Sequence, residues 1–294
     1  MTDTDDATIA RPEAVDVEVL RYAAFPDGAG GGNPAGVVLD ATGLDDAIRL
    51  AVAASVGYSE TAFIEPTRRD GEFRVRYFSP LAEVAFCGHA TIAAAVALAE
   101  RRGSGPLLFQ TLAGAVEVNT DESDAGRIAT LTSVPTRTRP ASGEELAAAL
   151  AALGWRSADL DPRYPVHVAY AGNDHLVLAV SDRARLADLH YNYDTLAALM
   201  AGRGWTTLQL VHAHTPLLFS ARNPFPPGGV VEDPATGAAA AAFGGYLRAL
   251  HLVDLPAQIT LLQGADMGSP SRLLVDVTGD DDRVQVAGSA RSIR

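Results

Sequence analysis

FCGHATIAAAVALAE (residues 86–100) and VEDPATGAAAAAFGGYL (231–247) are the two stretches on which the fold turns. Each sets a polar, glycine-containing loop directly before an alanine-rich run. A helix that is apolar on every face has to be buried on most of them, so the spacing predicts central helices over 91–102 and 238–250. The stretches lie about half the chain length apart, a period far too long for a solenoid. They read as the two copies of an ancient duplication: similar halves, each with strands wrapped around a central helix whose N-terminus meets a cleft. In this pairing the loop before the first helix offers Cys87 and its counterpart offers Asp233.

Outward from these helices, alternating apolar and polar residues predict strands, among them 15–25, 35–39, 61–66, 72–78, 166–170, 175–180, 207–213, 217–222, 258–262, 272–277 and 284–288. Helical spacing marks 44–56, 142–153 and 193–202, with Gly57 and Ser142 in capping positions. PTRTRP (135–140) carries two prolines and two arginines and reads as a linker. The resulting organisation is an acidic disordered tail over 1–15, an N-terminal domain over 16–134 completed by the C-terminal strand 278–294, and a C-terminal domain over 141–277. The fold class is α+β, two similar domains with the active site in the cleft between them.

The chain has 294 residues, 48% hydrophobic and 20% charged, long enough for two medium-sized domains. Its net charge of −13 argues against a nucleic-acid or anionic-membrane partner, since such affinity rests on clustered Lys and Arg. The single cysteine, Cys87, rules out an intrachain disulfide and any zinc site built on several thiolates, and fits a reducing, cytoplasmic compartment. No signal peptide or membrane-spanning run is apparent. DGAGGGNPAG (27–36) partly mimics a nucleotide loop, but it runs into a proline and a strand where that motif needs a helix. His212 and His214 project to one face of a strand, the spacing of a metal pair, but with no third ligand evident they read as ordinary strand histidines.

A helix N-terminus presents unpaired N–H groups and the positive end of the helix dipole, which suits a carboxylate. Two such termini at one cleft would hold a small acid without any arginine, through backbone groups at Gly88, His89, Gly237 and Ala238. Glu60 enters the apolar strand TAFI closely after a helix. A carboxylate at the wall of a partly desolvated cleft can accept and return a proton.

The segments GGNPAGVVLD (31–40), YSETAFIEP (58–66), RYFSPLAEVAFCGHATIAAA (76–95) and GVVEDPATGAAAAAFGGYL (229–247) fall in order at family-like spacing, and together they resemble the PhzF-like, phenazine-biosynthesis isomerase family. The resemblance implies a diaminopimelate epimerase-like fold, each domain a curled mixed β-sheet or barrel around a central helix, and an enzyme that works without cofactor or metal, many relatives being homodimers. It implies that Glu60 is the acid/base, that His89 and Asp233 flank the reacting atoms, and that Gly88, Ala90, Thr236, Gly237 and Ala238 contact a carboxylate substrate. Related racemases oppose two thiols, one from each half. With one cysteine, two-thiol racemisation is excluded and a one-base proton shuttle stays open. Family members commonly read EDPATGSA where this chain has EDPATGAA, so a hydroxyl gives way to the methyl of Ala238, a loss of roughly 0.5–1.5 kcal/mol for a neutral hydrogen bond. An alternative expectation follows: a carboxylate-binding protein on the same scaffold with altered or lost catalysis.

Overall fold

In the computed structural model, which describes residues 17–28, 30–123 and 126–294, the first central helix is threaded through a closed ring of strands. The acidic tail expected over 1–15 lies outside the described residues. The N-terminal half runs β1 (Leu20–Ala24), β2 (Asn33–Val38), α1 (Asp46–Val56), β3 (Thr61–Pro66), β4 (Glu72–Phe78), β5 (Glu83–Val84), α2 (Gly88–Arg102), β6 (Gly105–Thr111), β7 (Gly114–Ser123) and β8 (Gly126–Thr132). The rest runs β9 (Arg137–Pro140), α3 (Gly143–Leu153), β10 (His167–Tyr170), β11 (Asp174–Ala179), α4 (Arg183–Ala187), α5 (Tyr193–Arg203), β12 (Trp205–Thr215), β13 (Leu218–Pro224), β14 (Glu232–Asp233), α6 (Gly237–Ala249), β15 (Ala257–Gln263), β16 (Ser271–Val277) and β17 (Gln285–Ser292).

Pairing in the first half closes on itself in the order β17–β1–β2–β3–β4–β6–β7–β8 and back to β17. The second half follows the order β9–β10–β11–β12–β13–β15–β16–β17 and curls about α6. The duplication is visible in the pairing itself. Parallel pairs fall at matching places, β2 with β3 and β4 with β6 in one half, β11 with β12 and β13 with β15 in the other. Each half also has a two-residue strand, β5 or β14, antiparallel to the strand before it and directly preceding the central helix. β17 belongs to both halves: residues 285–287 lie between β8 on one edge and β16 on the other, and residues 290–292 pair with β1.

An eight-stranded barrel ordinarily has room only for its own side chains. A helix fits inside this one because it is built of alanine: Ala90, Ala93, Ala94, Ala95 and Ala97 are buried with almost no side-chain volume to place. One apolar cluster then runs without a break from the α2 barrel to Phe243, Tyr246 and Leu247 on α6. A second cluster packs α3 and α5, through Leu150, Leu153, Leu196 and Met200, on the outer face of the C-terminal sheet. A smaller one lies beneath α1. The peripheral helices are capped from their own sequence. Asp45, Ser142, Asp182 and Asn192 each accept an N-terminal backbone N–H, and Ser142 forms a full capping box with Glu145.

Two sequence expectations are corrected. PTRTRP is not a free linker: residues 137–140 form β9, antiparallel to β10, and the Arg137 guanidinium lies 3.3 Å over the Tyr170 ring. The prolines misled because Pro140 ends a strand at the sheet edge, where a missing N–H is tolerated. The pairing of Cys87 with Asp233 is off as well. The helices begin at Gly88 and Gly237, so the matching N-cap positions are Cys87 and Thr236.

Candidate active site

The parallel pairing of β2 and β3 places Glu60, which stands one residue before β3, so that its carbonyl accepts the Gly36 N–H at 3.1 Å. Its side chain, 13% exposed, brings Oε2 within 3.4 Å of His89 Nε2. His89 is the second residue of α2 and is buried. Its Nε2 also lies 3.4 Å from Ser59 Oγ, and its Nδ1 lies 3.3 Å from Cys87 Sγ. Behind the ring, Thr91 Oγ1 donates to the Cys87 carbonyl at 2.7 Å and stands 2.7 Å from the Tyr77 hydroxyl.

Asp233 comes from β14 and is held from both halves of the chain. Asn33, at the start of β2, donates to Oδ1 at 2.7 Å, and Thr236 donates to Oδ2 at 2.6 Å. Gln263 locks the turn by donating to the Asp233 carbonyl at 2.7 Å and to Thr236 Oγ1 at 3.0 Å. Burial pushes the Asp233 carboxyl above its ordinary value. The His89 ring and the hydrogen bonds from Thr236 and Asn33 pull it back, while the Glu60 charge adds to the rise. Burial likewise pushes the Cys87 thiol up, reinforced by the negative charge of Glu60 and by that of Asp233.

The two central helices differ from the peripheral ones in one respect. Neither Cys87 nor Thr236 gives its helix a side-chain cap, although α1, α3, α4 and α5 all have one. Their first turns also face each other: a Cβ placed on Gly88 would come 3.6 Å from the Cα of Gly237. The first turns of α2 and α6 therefore lie against each other, and neither N-cap residue supplies a side-chain cap for the unpaired N–H groups there. A matching pair of ionic clamps fixes the loops that lead there. Arg76 on β4 grips Glu83 on β5 at 2.5 and 2.6 Å, and Arg222 on β13 grips Glu232 on β14 in the same bidentate manner. The clamps occupy equivalent places, since Tyr77 registers with Val84 and Asn223 with Asp233.

A cavity of about 630 Å³ opens beside these groups. Glu60, Gly237 and Ala238 stand on its wall together with apolar side chains such as Phe86, Leu131 and Phe225. Thus Glu60, Gly88, His89, Asp233, Thr236, Gly237 and Ala238 are gathered in one region, of which Glu60, Gly237 and Ala238 line the cavity, while Ala90, in the first turn of α2, is fully buried. His212 and His214 lie elsewhere, each committed to a partner: Nδ1 of His212 at 3.2 Å from the Val180 carbonyl, Nε2 of His214 at 2.8 Å from Ser220 Oγ. Sequence reasoning missed Ser59, Asn33 and Gln263. Ser59 stands next to Glu60 in the SETAF motif, Asn33 directly follows the glycine-rich stretch 27–32, and nothing local to Gln263 points to Asp233.

The family profile described as "Phenazine biosynthesis-like protein" (PhzC-PhzF) matches residues 22–294. Among curated proteins, the chain is 28% identical over 270 residues to the trans-2,3-dihydro-3-hydroxyanthranilate isomerase of Pseudomonas chlororaphis, covering 88% of this chain and 90% of that one. It is 32% identical over 290 residues to the uncharacterized isomerase YddE of Escherichia coli K12, covering 93% and 95%. Among solved structures, a PhzF-family phenazine biosynthesis protein from Bacillus anthracis superposes with a TM-score of 0.83 at 25% identity over 95% of this chain and 97% of that one. A probable proline racemase from Agrobacterium radiobacter shares the fold, with a TM-score of 0.64 at 13% identity over 94% and 91%. The duplicated barrel, the facing helix termini and these matches agree that the chain belongs to the phenazine biosynthesis-like PhzC-PhzF family and is an isomerase.

Proposed function

We propose that the protein is a cofactor-independent isomerase that moves a proton along a small unsaturated or α-activated carboxylic acid, with Glu60 as the single acid/base. The observation that carries this reading is the position of Glu60: on the cavity wall, 3.4 Å from the His89 ring, beside two uncapped helix N-termini. The substrate carboxylate would lie between the first turns of α2 and α6, whose amides and dipoles favour an anion. Glu60 takes a proton from the carbon next to the activating group and returns it further along the same face, as a one-base shuttle requires. His89 and Asp233 hold the reacting part of the substrate from either side. The name of the Pseudomonas relative, an isomerase of an unsaturated cyclic hydroxy amino acid, supports this substrate class.

The test is Glu60→Gln. The variant is expected to fold and to bind carboxylic acids, and to lose proton exchange between bound substrate and deuterated solvent. Exchange that continues at the wild-type rate would overturn the assignment.

A second reading, a carboxylate-binding protein with altered or lost catalysis, draws on Ala238, which puts a methyl group on the cavity wall where the resemblance expects a serine hydroxyl. Tight binding of a carboxylate, by calorimetry, with neither turnover nor solvent exchange would favour it. We further propose that the chain works in the cytoplasm as a homodimer, with residues 16–134 plus 278–294 and residues 141–277 as its two domains and the site at their seam. The two halves are joined through β17, which pairs with both, through the hydrogen bond from Asn33 to Asp233, and through the Arg272 N–H to the Phe25 carbonyl. No helix among the described residues is long and apolar enough to cross a membrane.

A further inference from the structure

We propose that Glu60, Cys87 and His89 form a binding site for a thiophilic divalent cation of the zinc class, and that an ion held there takes Glu60 out of use as a base. The three side chains each offer one ligand atom, and these atoms lie within 4.8 Å of one another. His89 Nε2 is 3.4 Å from Glu60 Oε2 and 3.8 Å from Cys87 Sγ. Tetrahedral zinc, with Zn–N and Zn–O near 2.1 Å and Zn–S near 2.3 Å, needs ligand-to-ligand edges of about 3.4 Å from N to O and about 3.6 Å from N to S. Two of the three edges therefore stand close to the required lengths before any ion arrives, and the third, from Glu60 to Cys87, is within 4.8 Å.

The donor set also selects the metal. A thiolate, an imidazole and one carboxylate suit zinc or cadmium, whereas magnesium and calcium want oxygen alone. Three protein ligands leave the fourth position open, and Glu60 opens onto the cavity through which an ion and its water would enter. On coordination the Cys87 thiol gives its proton to solvent and the sulfur binds as thiolate; nothing is oxidised or reduced. Cys87 otherwise has no part in a one-base shuttle. Occupancy of the site is independent of the proposed reaction, and only the inhibition rests on Glu60 being the base.

The experiment is a titration of the full chain, stripped by a chelator, with Cd²⁺. A thiolate-to-cadmium charge-transfer band is expected to grow in the ultraviolet up to one equivalent. Zn²⁺ should displace the Cd²⁺, Cys87→Ala should abolish the band, and Glu60→Gln should weaken binding by more than about tenfold, the loss already seen when only a supporting partner of a ligand is removed. Equal Cd²⁺ affinity in Cys87→Ala, or no band in the wild type, overturns the site. A second measurement needs no substitution: X-ray absorption of the wild type with one equivalent of zinc should show one sulfur neighbour near 2.3 Å, and a shell of nitrogen and oxygen only overturns the site. Zinc bound through sulfur with undiminished solvent exchange overturns the inhibition and counts against Glu60 as base. A missing sulfur shell, with Glu60→Gln inactive, overturns the metal site and leaves the proton shuttle standing.

Discussion

Gly88 and Gly237 meet across the cleft, with a Cβ built on Gly88 reaching 3.6 Å from the Cα of Gly237 and one built on Gly237 reaching 3.9 Å from the Cα of Gly88. Both distances are ordinary van der Waals contacts, so the protein can accept either methyl group. Alanine is also the better helix former, by roughly 0.5–1 kcal/mol in a helix interior. The glycines are thus not required by packing, and their absent side chains leave the converging amides open to a ligand. Gly237→Ala is expected to melt within a few degrees of the wild type while its Kd for a carboxylic acid rises tenfold or more, a loss of about 1.4 kcal/mol. An unchanged Kd by calorimetry would remove the helix termini from the binding site.

The Asp233 carboxyl gives a second handle on the site. Burial raises it above the ordinary carboxylate range, and the hydrogen bonds from Thr236 and Asn33 are among the influences that hold it down. These donors favour the ionised form, so removing either lets the carboxyl rise further. If Asp233 positions substrate as a carboxylate, activity is lost as pH falls through its raised value. Asn33→Ala and Thr236→Val should then shift the acidic limb of kcat/KM to higher pH and leave the plateau within a few-fold of the wild type. A limb that stays in place in both variants would mean that some other group sets it.

Much of this architecture is legible along the chain because it depends on local rules. Alanine runs announce the buried helices, Ser142 and Glu145 spell out a capping box, and period-two alternation marks most strands. The Glu60 and His89 pair was also reachable, through motifs that keep each residue beside a recognisable element. What stayed hidden depends on distant contacts. Arg76 with Glu83 and Arg222 with Glu232 look like ordinary strand charges until the pairing of β4 with β5 and of β13 with β14 brings them together. Asn33 reaches Asp233 across 200 residues of sequence, a link that no local spacing encodes. Arg137 to Pro140 misled for the related reason that an edge strand with prolines has the composition of a linker.

Phe25 is a buried residue with a left-handed backbone, φ 60°, at the point where β1 leaves the barrel. Its N–H donates to the Ser289 carbonyl at 2.7 Å, and its carbonyl accepts from Arg272 at 2.8 Å, tying β17 and β16 together at the floor of the site. Its ring lies over Gly288, where a Cβ would come 2.2 Å from Cδ1. That overlap has no cheap relief, because the ring is fixed by its own strained backbone and fully enclosed. Gly288→Ala should cost about 1–3 kcal/mol, the usual range for overpacking a well-filled core, and should disturb the Gly237 region, where a Cβ built on Gly237 would come 3.8 Å from Phe25 Cζ. Denaturant unfolding checks the first effect and carboxylate affinity the second.

Acid should unfold the protein earlier than its carboxylates alone require, and the cause is His175. This residue on β11 is completely buried, its Nδ1 2.8 Å from Thr207 Oγ1 on the neighbouring strand, and burial holds its pKa down to about 3. In the unfolded chain the same imidazole titrates near the ordinary histidine value of about 6.5. Between these two values the unfolded state binds a proton that the folded state refuses, so stability falls as pH drops below about 6.5, by about 1.4 kcal/mol per pH unit for one such group. His167 and His214, also lowered, act in the same direction with smaller weight. Glu145, held down to about 2 chiefly by Arg139, and Asp161, held down by Arg163, add their losses only below the ordinary carboxylate range. Over the interval from pH 6.5 to 5 the histidines lower stability as pH falls, while the raised Asp233 carboxyl, which takes up its proton first in the folded state, acts in the opposite direction, so the share of His175 is read by comparison with its variant. Urea unfolding across it should lose roughly 2 kcal/mol in the wild type. His175→Gln should start from lower stability at pH 7 and show a clearly flatter slope over the same interval. A slope equal to that of the wild type would mean that His175 is protonated in the folded protein, which its enclosure by Thr207 and the β11–β12 sheet argues against.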